Sequence, residues 1–169
     1  METIRSILDP LDDISNVLVV IAIIAGVVLW LRGIVPVLYR LGNGLSRRKI
    51  AIFAKGDMAT SLVDLLCDSK LFKKKNVLKV SSVGDMGRAE GVTLFLVYWP
   101  DWREEIDKVL ELKADGTALI VYAPQEQGFI PKETMALLDK KRNVVVNNFR
   151  GRLLNDIVAS MITTSYEKK

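Results

Sequence analysis

Histidine is absent from the 169 residues, and Cys67 is the only cysteine. The first absence excludes Ser-His-Asp and Cys-His nucleophilic machinery, His-ligated zinc or iron, and a histidine pH switch. The second excludes an internal disulfide and a cysteine-based metal cluster. No metal and no cofactor is therefore expected, and any enzyme built on this chain works with carboxylates, Lys, Arg, Tyr, Ser or Asn. Cys67 reads as a small apolar residue on a helix. Phosphate loops are missing as well: neither G-x-G-x-x-G after the first strand nor G-x-x-x-x-G-K-[ST] occurs. Gly84, Gly87 and Gly91 cluster, but at a spacing that suits turns.

Charge is missing from one long stretch. Ile14 to Leu31 runs for eighteen residues without an ionisable side chain. A bilayer core of roughly 30 Å takes about 20 helical residues, so this segment predicts a single membrane-crossing helix. Residues 1–13 carry one Arg and four acids, and no small-residue cleavage site follows the apolar run, which argues against a signal peptide. From Val17 to Leu31 the segment is apolar all round, unlike a core helix with one apolar stripe.

The flanks give an orientation. The N-terminal tail sums to −3, whereas Arg32, Arg40, Arg47, Arg48 and Lys49 follow the apolar run with no acid among them. Basic residues stay on the cytoplasmic side, so the tail is expected outside and the remaining chain inside, in an inner membrane. Trp30 and Arg32 suit one headgroup region, with Arg32 snorkelling towards phosphate, and Pro36 suits a kink or an end to the helix. The expected organisation is thus a tail at 1–13, a membrane helix with its juxtamembrane segment at 14–40, a Gly/Asn/Ser linker at 41–46 and a cytoplasmic domain at 47–169. With −3 in the tail and +2 from Arg32 and Arg40, the whole-chain charge of +4 leaves +5 on the domain, which suits an anionic leaflet.

The domain alternates apolar runs with amphipathic stretches. The runs are 49–54, 76–82, 92–99, 117–123 and 143–148, each short, β-branched or aromatic, and bounded by turn residues. The last three are nearly continuous in apolar residues, as in strands buried on both faces of a parallel sheet. Helical patterns cover Met58 to Phe72, with Leu62, Leu65, Leu66 and Cys67 on one face, and Trp102 to Leu112, with Trp102, Ile106, Val109 and Leu110 inward. They continue from Pro131, with Met135, Leu137 and Leu138 inward, and from Leu153 to Tyr166, apolar at Leu154, Ile157, Val158 and Met161. Residues 83–91 have room for a turn or two of helix. The expected fold is an α/β domain with an open, mostly parallel five-stranded sheet, order 2-1-3-4-5, preceded by one transmembrane helix.

In such sheets ligands bind beyond the carboxyl ends of the strands. That edge collects Lys55 and Asp57, Ser81 and Ser82, Trp99 and Asp101, Gln125, and Asn147, Asn148 and Arg150. Two aromatics among amides, hydroxyls and a few charges suit a polar, ring-bearing ligand such as a nucleotide. Arg150 and Arg152 are candidates for phosphate and Phe149 for stacking; the same residues also suit a turn into the last helix. Lys73-Lys74-Lys75 reads as a solvated helix end.

Two families share features with this pattern. The five-strand alternation resembles two-component receiver domains, which use an acidic pair after strand 1, an Asp after strand 3, a Thr or Ser after strand 4 and a Lys after strand 5. Asp57 and Asp101 stand in the first two places, but Ala123 and Asn147-Asn148 occupy the others, so phospho-relay is not expected. Trp102-Arg103-Glu104-Glu105 directly follows the third run and resembles the W-x-x-E of TIR (Toll/interleukin-receptor-like) domains. That resemblance implies Glu105 as the catalytic carboxylate of an NAD-cleaving enzyme, where it would stabilise an oxocarbenium-like transition state. The chain departs from that family in the apolar end of strand 1 and in the missing long segment after strand 2. The motif also reads as an amphipathic helix start, with Trp102 on the sheet and the acids at the N-terminal dipole.

Three functions remain open on the sequence. The first is a membrane-anchored, self-associating sensor or effector that binds a small ligand or a partner protein, the layout of bacterial defence effectors that join a nucleotide sensor to membrane helices. The second is a membrane-bound TIR-like NAD hydrolase using Glu105. The third is a ligand-free scaffold. The expected partners are the lipid bilayer, further copies of the chain and a nucleotide-like small ligand, with no DNA or RNA. Ala22 and Gly26 lie one helical turn apart and allow close helix packing.

Overall fold

The computed structural model describes residues 18–36 and 48–164. Contacts divide the chain into two units that part between Gly42 and Asn43, within the expected linker at 41–46, itself outside the described residues. In the first unit, helix α1 spans Leu18–Pro36 with a mean hydropathy of 2.7 and no part of it buried. At 1.5 Å per residue its 19 residues reach about 28 Å, so it is long and apolar enough to cross a membrane. The helix runs on past Leu31, where the uncharged stretch ends, through Arg32 to Pro36, because one long basic side chain does not break a helix. The expected start at Ile14 lies outside the described residues.

The second unit is built on one sheet. Its strands are β1 (Ile50–Phe53), β2 (Val77–Val80), β3 (Leu94–Tyr98), β4 (Ala118–Tyr122) and β5 (Val144–Asn147). All pair in parallel in the order β2-β1-β3-β4-β5, as expected. Successive side chains along each strand take opposite faces. Ala51 and Phe53 accordingly join one core and Ile50 and Ile52 the other. The first core packs under α3 (Trp99–Trp102), α4 (Ile106–Leu112) and α5 (Lys132–Asp139), through Trp102, Ile106, Val109 and Leu138. The second lies under α2 (Gly56–Asp68) and α6 (Arg150–Thr164), through Leu62, Leu66, Leu153 and Ile157. Phe53, Phe95 and Trp102 form an aromatic cluster in the first core, the indole meeting Phe53 edge-on at 5.2 Å.

Four details differ from the expected pattern. The helix expected over 102–112 is split. Pro100 opens the short α3, Glu105 sits outside helical geometry at φ −104° and ψ 10°, and α4 begins at Ile106. The break lets Trp99, Trp102 and Ile106 all enter the core. Helix α2 stops at Asp68, not Phe72. There the Ser69 hydroxyl donates to the Leu66 carbonyl at 2.6 Å, Lys70 takes a left-handed φ of 58°, and Phe72 turns back into the core. Leu137 is 45% exposed, since short α5 reaches the core chiefly through Leu138. β5 is not buried on both faces: Val145 and Val146 are 36% and 37% exposed, because this strand is a sheet edge.

The burial pattern predicts an uneven stability map. Trp102→Ala is expected to cost about 3–5 kcal/mol and Val145→Thr less than about 0.5 kcal/mol, read from chemical denaturation. Equal costs at the two positions would contradict the packing described.

Candidate functional site

β3 and β4 both end in tyrosine, and their parallel register sets Tyr98 beside Tyr122 at the carboxyl edge of the sheet. The two rings lie 5.8 Å apart and tilted by 40°. They are the floor of a cleft of about 340 Å³. One wall is the loop from β4 to α5, with Pro124, Gln125, Glu126 and Gln127; Met58 of α2 and Asn148 beyond β5 make the other. The Tyr98 hydroxyl donates to Gln127 Oε1 at 3.0 Å, which fixes that loop over the floor. Burial, then the nearby Asp101 carboxylate, then Tyr122 raise the Tyr98 pKa above its ordinary value, so the hydroxyl keeps its proton through the neutral range.

Gly128 sets the shape of the loop. A Cβ there would lie 2.3 Å from the Ala123 carbonyl carbon and 2.4 Å from the Pro124 oxygen, both rigid backbone atoms. The chain folds so tightly because Gln127 N–H donates to the Pro124 carbonyl at 3.1 Å and the Trp99 indole N–H donates to the Phe129 carbonyl at 3.0 Å. Trp99 is thereby buried as a brace for the loop.

The crevice where the strand order reverses, between β1 and β3, is bridged. Lys55 N–H donates to Asp101 Oδ2 at 2.7 Å, and the Lys55 ammonium stands 5.8 Å over the Trp102 ring. Gly56, at φ +52°, turns the chain from β1 into α2, and Asp57 is exposed in the first turn of that helix. The cleft itself lies over β3, β4 and the end of β5.

The remaining residues singled out from the sequence fall into three groups. Gln125 and Asn148 line the cleft. Asn147 and Arg150 do not line it but adjoin lining residues, Asn147 preceding Asn148 in the chain and Arg150 lying against Met58. Asn147 is buried, its amide nitrogen donating to Asp156 and its Oδ1 accepting the Phe149 N–H at 2.8 Å, an arrangement that starts α6. Arg150 Nη2 donates to Ser61 Oγ at 2.6 Å and to the Ser61 carbonyl at 3.2 Å, while Nη1 lies 4.0 Å from Met58 Sδ. Ser81, Ser82 and Glu105 lie elsewhere. Ser82 Oγ donates to Asp85 at 2.9 Å beyond the outer strand β2, and Ser81 is exposed there. Glu105 is half-buried at the start of α4, whose Ile106 packs into the core on the face opposite the one that holds Tyr98 and Tyr122. Of the membrane-flank residues, Trp30 and Arg32 are exposed on α1, Arg48 is half-buried ahead of β1, and Arg40 and Arg47 lie outside the described residues.

The sequence reading passed over Tyr98, Tyr122 and Met58, taking the tyrosines as part of apolar runs. Their signal was position: both are the last residue of a five-residue strand. The lining offers two ring faces, three amides, the Glu126 carboxylate and a thioether, with no basic side chain. It suits an uncharged ring with several polar edges. Among the described residues no group of three His, Cys, Asp or Glu gathers to hold a metal ion. Comparison with family models, curated proteins and solved structures gives no match for this chain.

Gly128→Ala is the substitution expected to disturb the cleft most. It should cost about 1–3 kcal/mol by forcing the backbone apart, whereas Gly87→Ala, with open space around it, should be nearly silent. Thermal unfolding of both variants checks this; a silent Gly128→Ala would contradict the loop geometry.

Proposed function

We propose that the chain is a membrane-anchored cytoplasmic sensor or effector whose carboxyl-edge cleft binds one small ring-bearing ligand of the nucleoside or nucleotide class. The observation that carries this reading is the tyrosine-floored cleft walled by amides. A ring can stack on Tyr98 and Tyr122 while its polar edges meet Gln125 and Asn148. At about 340 Å³ the cleft is at the low end of ligand-pocket volumes, about 300–1,000 Å³, which favours one ring system over a dinucleotide. A phosphate on such a ligand would lie at the rim, towards Arg150, because the lining itself carries no cation. α1 supplies the anchor in this reading, with the N-terminal tail outside and the domain on the cytoplasmic side. Ligand binding would alter self-association of the tethered copies.

The NAD-hydrolase reading rests on Trp102–Glu105, and the burial of Ile106 beside it points that helix start to the other face of the sheet. One set of measurements separates the readings. Full-length protein in detergent is screened by thermal shift against nucleosides, mononucleotides, cyclic nucleotides and NAD. A ligand at a hundredfold its Kd stabilises by about 2.7 kcal/mol, and Gln125→Ala with Asn148→Ala should abolish most of that. Nicotinamide release from NAD that is lost in Glu105→Ala would sink the non-catalytic reading. No stabilisation by any of these ligands would favour a scaffold.

A further inference from the structure

The parallel register begins at the first or second residue of each strand: Ile50 pairs with Val77 and Leu94, Leu94 with Ala118, and Leu119 with Val144. Every loop that leads into a strand therefore opens on one edge of the sheet, the amino edge, opposite the tyrosine cleft. Hydrogen bonds tie these loops side by side. Thr93 N–H donates to the Lys49 carbonyl at 3.0 Å, Ala118 N–H to Thr93 at 3.0 Å, and Leu119 N–H to Asn143 at 2.8 Å. Asn143 Nδ2 donates to the Asp115 carbonyl at 2.9 Å.

Three basic runs, far apart in the sequence, arrive at this edge. Arg48-Lys49 leads into β1, Lys73-Lys74-Lys75 into β2 and Lys140-Lys141-Arg142 into β5, and all of them except half-buried Arg48 are exposed. Lys70 and Lys113 bring the described loop residues there to ten basic against two acidic, Glu90 and Asp115. Asp68, Glu111 and Asp139, in the last turns of the helices that feed these loops, leave an excess of five. The carboxyl-edge loops have the opposite balance, Lys55 and Arg103 against Glu104, Glu105 and Glu126. Helix-end electrostatics accounts for the first cation after each helix, because the dipole acts only within the last turn. It does not account for the second and third members of the runs before β2 and β5. Those two runs sit on the outermost strands, about 19 Å apart at the usual strand spacing, so the charge is spread as a strip rather than a pocket.

We infer that the amino edge docks on the anionic lipid headgroups of the membrane that α1 crosses, so that the domain stands with this edge down and holds the tyrosine cleft away from the bilayer. The inference rests on the reading of α1 as a membrane anchor and names the surface that the anchored domain presents to the lipid. Chain order favours it: Arg48 and Lys49, the first described residues after α1, enter β1 at this same edge. A strip of flexible ammonium groups matches a plane of mobile phosphates, where each cation near the surface adds attraction. A nucleic-acid strand is the weaker match, since the described loops of this edge present no exposed aromatic side chain for base stacking, Phe72 being buried.

The test uses the full-length protein with Cys67→Ser, carrying a fluorophore at Ala114→Cys on the amino edge or at Gln125→Cys on the carboxyl edge. Each is reconstituted into nanodiscs of phosphatidylcholine alone, or mixed equally with phosphatidylglycerol, that contain a headgroup-linked quencher. In anionic discs quenching at 114 should exceed that at 125 by about twofold or more, and the difference should fade as salt shortens the Debye length from about 10 Å to about 3 Å. Lys→Gln at 73, 74, 75, 140 and 141, with Arg142→Gln, should remove the difference while leaving the near-ultraviolet circular dichroism unchanged. Each triplet neutralised alone should remove part of it. Equal quenching at the two positions, or the same difference in neutral discs, would overturn the inference. So would charge-dependent binding of a single-stranded oligonucleotide without any lipid-dependent quenching. Failure of the protein to enter discs at all would sink the anchor reading instead.

Discussion

The pairing of β1 with β3 is the interaction on which the rest of the domain depends. It is parallel, it begins at Ile50 and Leu94, and it holds strands whose side chains are almost wholly excluded from water on both faces. A parallel pair needs a crossover between its strands, so helices must cover both faces, and the helices here supply the two cores. With both faces occupied, polar residues have no place along the central strands. They are displaced to the strand ends, and parallel pairing sorts those ends into two edges of different chemistry. Amides and ring faces gather at one edge, lysines and arginines at the other.

Within the carboxyl edge a second competition decides where open volume remains. The reversal point between β1 and β3 is the usual ligand crevice of such sheets, but the Lys55–Asp101 hydrogen bond and the Lys55–Trp102 contact bridge it. The Trp99 indole and the tight turn at Gly128 hold the β4–α5 loop instead over Tyr98 and Tyr122. Groups that look available in a list of loop residues thus have structural duties. Trp99 braces the loop, Asn147 starts α6, and Arg150 clamps α6 to α2 through Ser61.

Much of the architecture was legible because it is written in periodicity. Apolar runs such as TALIVYA and VTLFLVYW leave little to turn outward, so parallel pairing followed from length and alternation, whereas the strand order was taken as the commonest one for five strands. The site was harder to see, since it depends on which residues of neighbouring strands come into register. Nothing local distinguishes Tyr122 from a core residue until β3 and β4 are aligned. The split at Glu105 and the early stop at Ser69 were likewise invisible, being set by tertiary demands on Trp99, Trp102 and Phe72. The exposure of Val145 and Val146 was missed because the unbroken apolar run was read as doubly buried, although the expected order already put this strand at the edge.

The account's central claim is that the two edges of one sheet have separate partners, lipid at the amino edge and a small ring-bearing ligand at the carboxyl edge. Amide hydrogen exchange of the full-length protein in nanodiscs tests it most directly. Replacing neutral lipid by anionic lipid should slow exchange in loops 69–76 and 140–143 and leave 123–131 unchanged, whereas adding a ligand found by thermal shift should slow 123–131 alone. Protection of 123–131 by anionic lipid, or of the amino-edge loops by the ligand, would contradict the account.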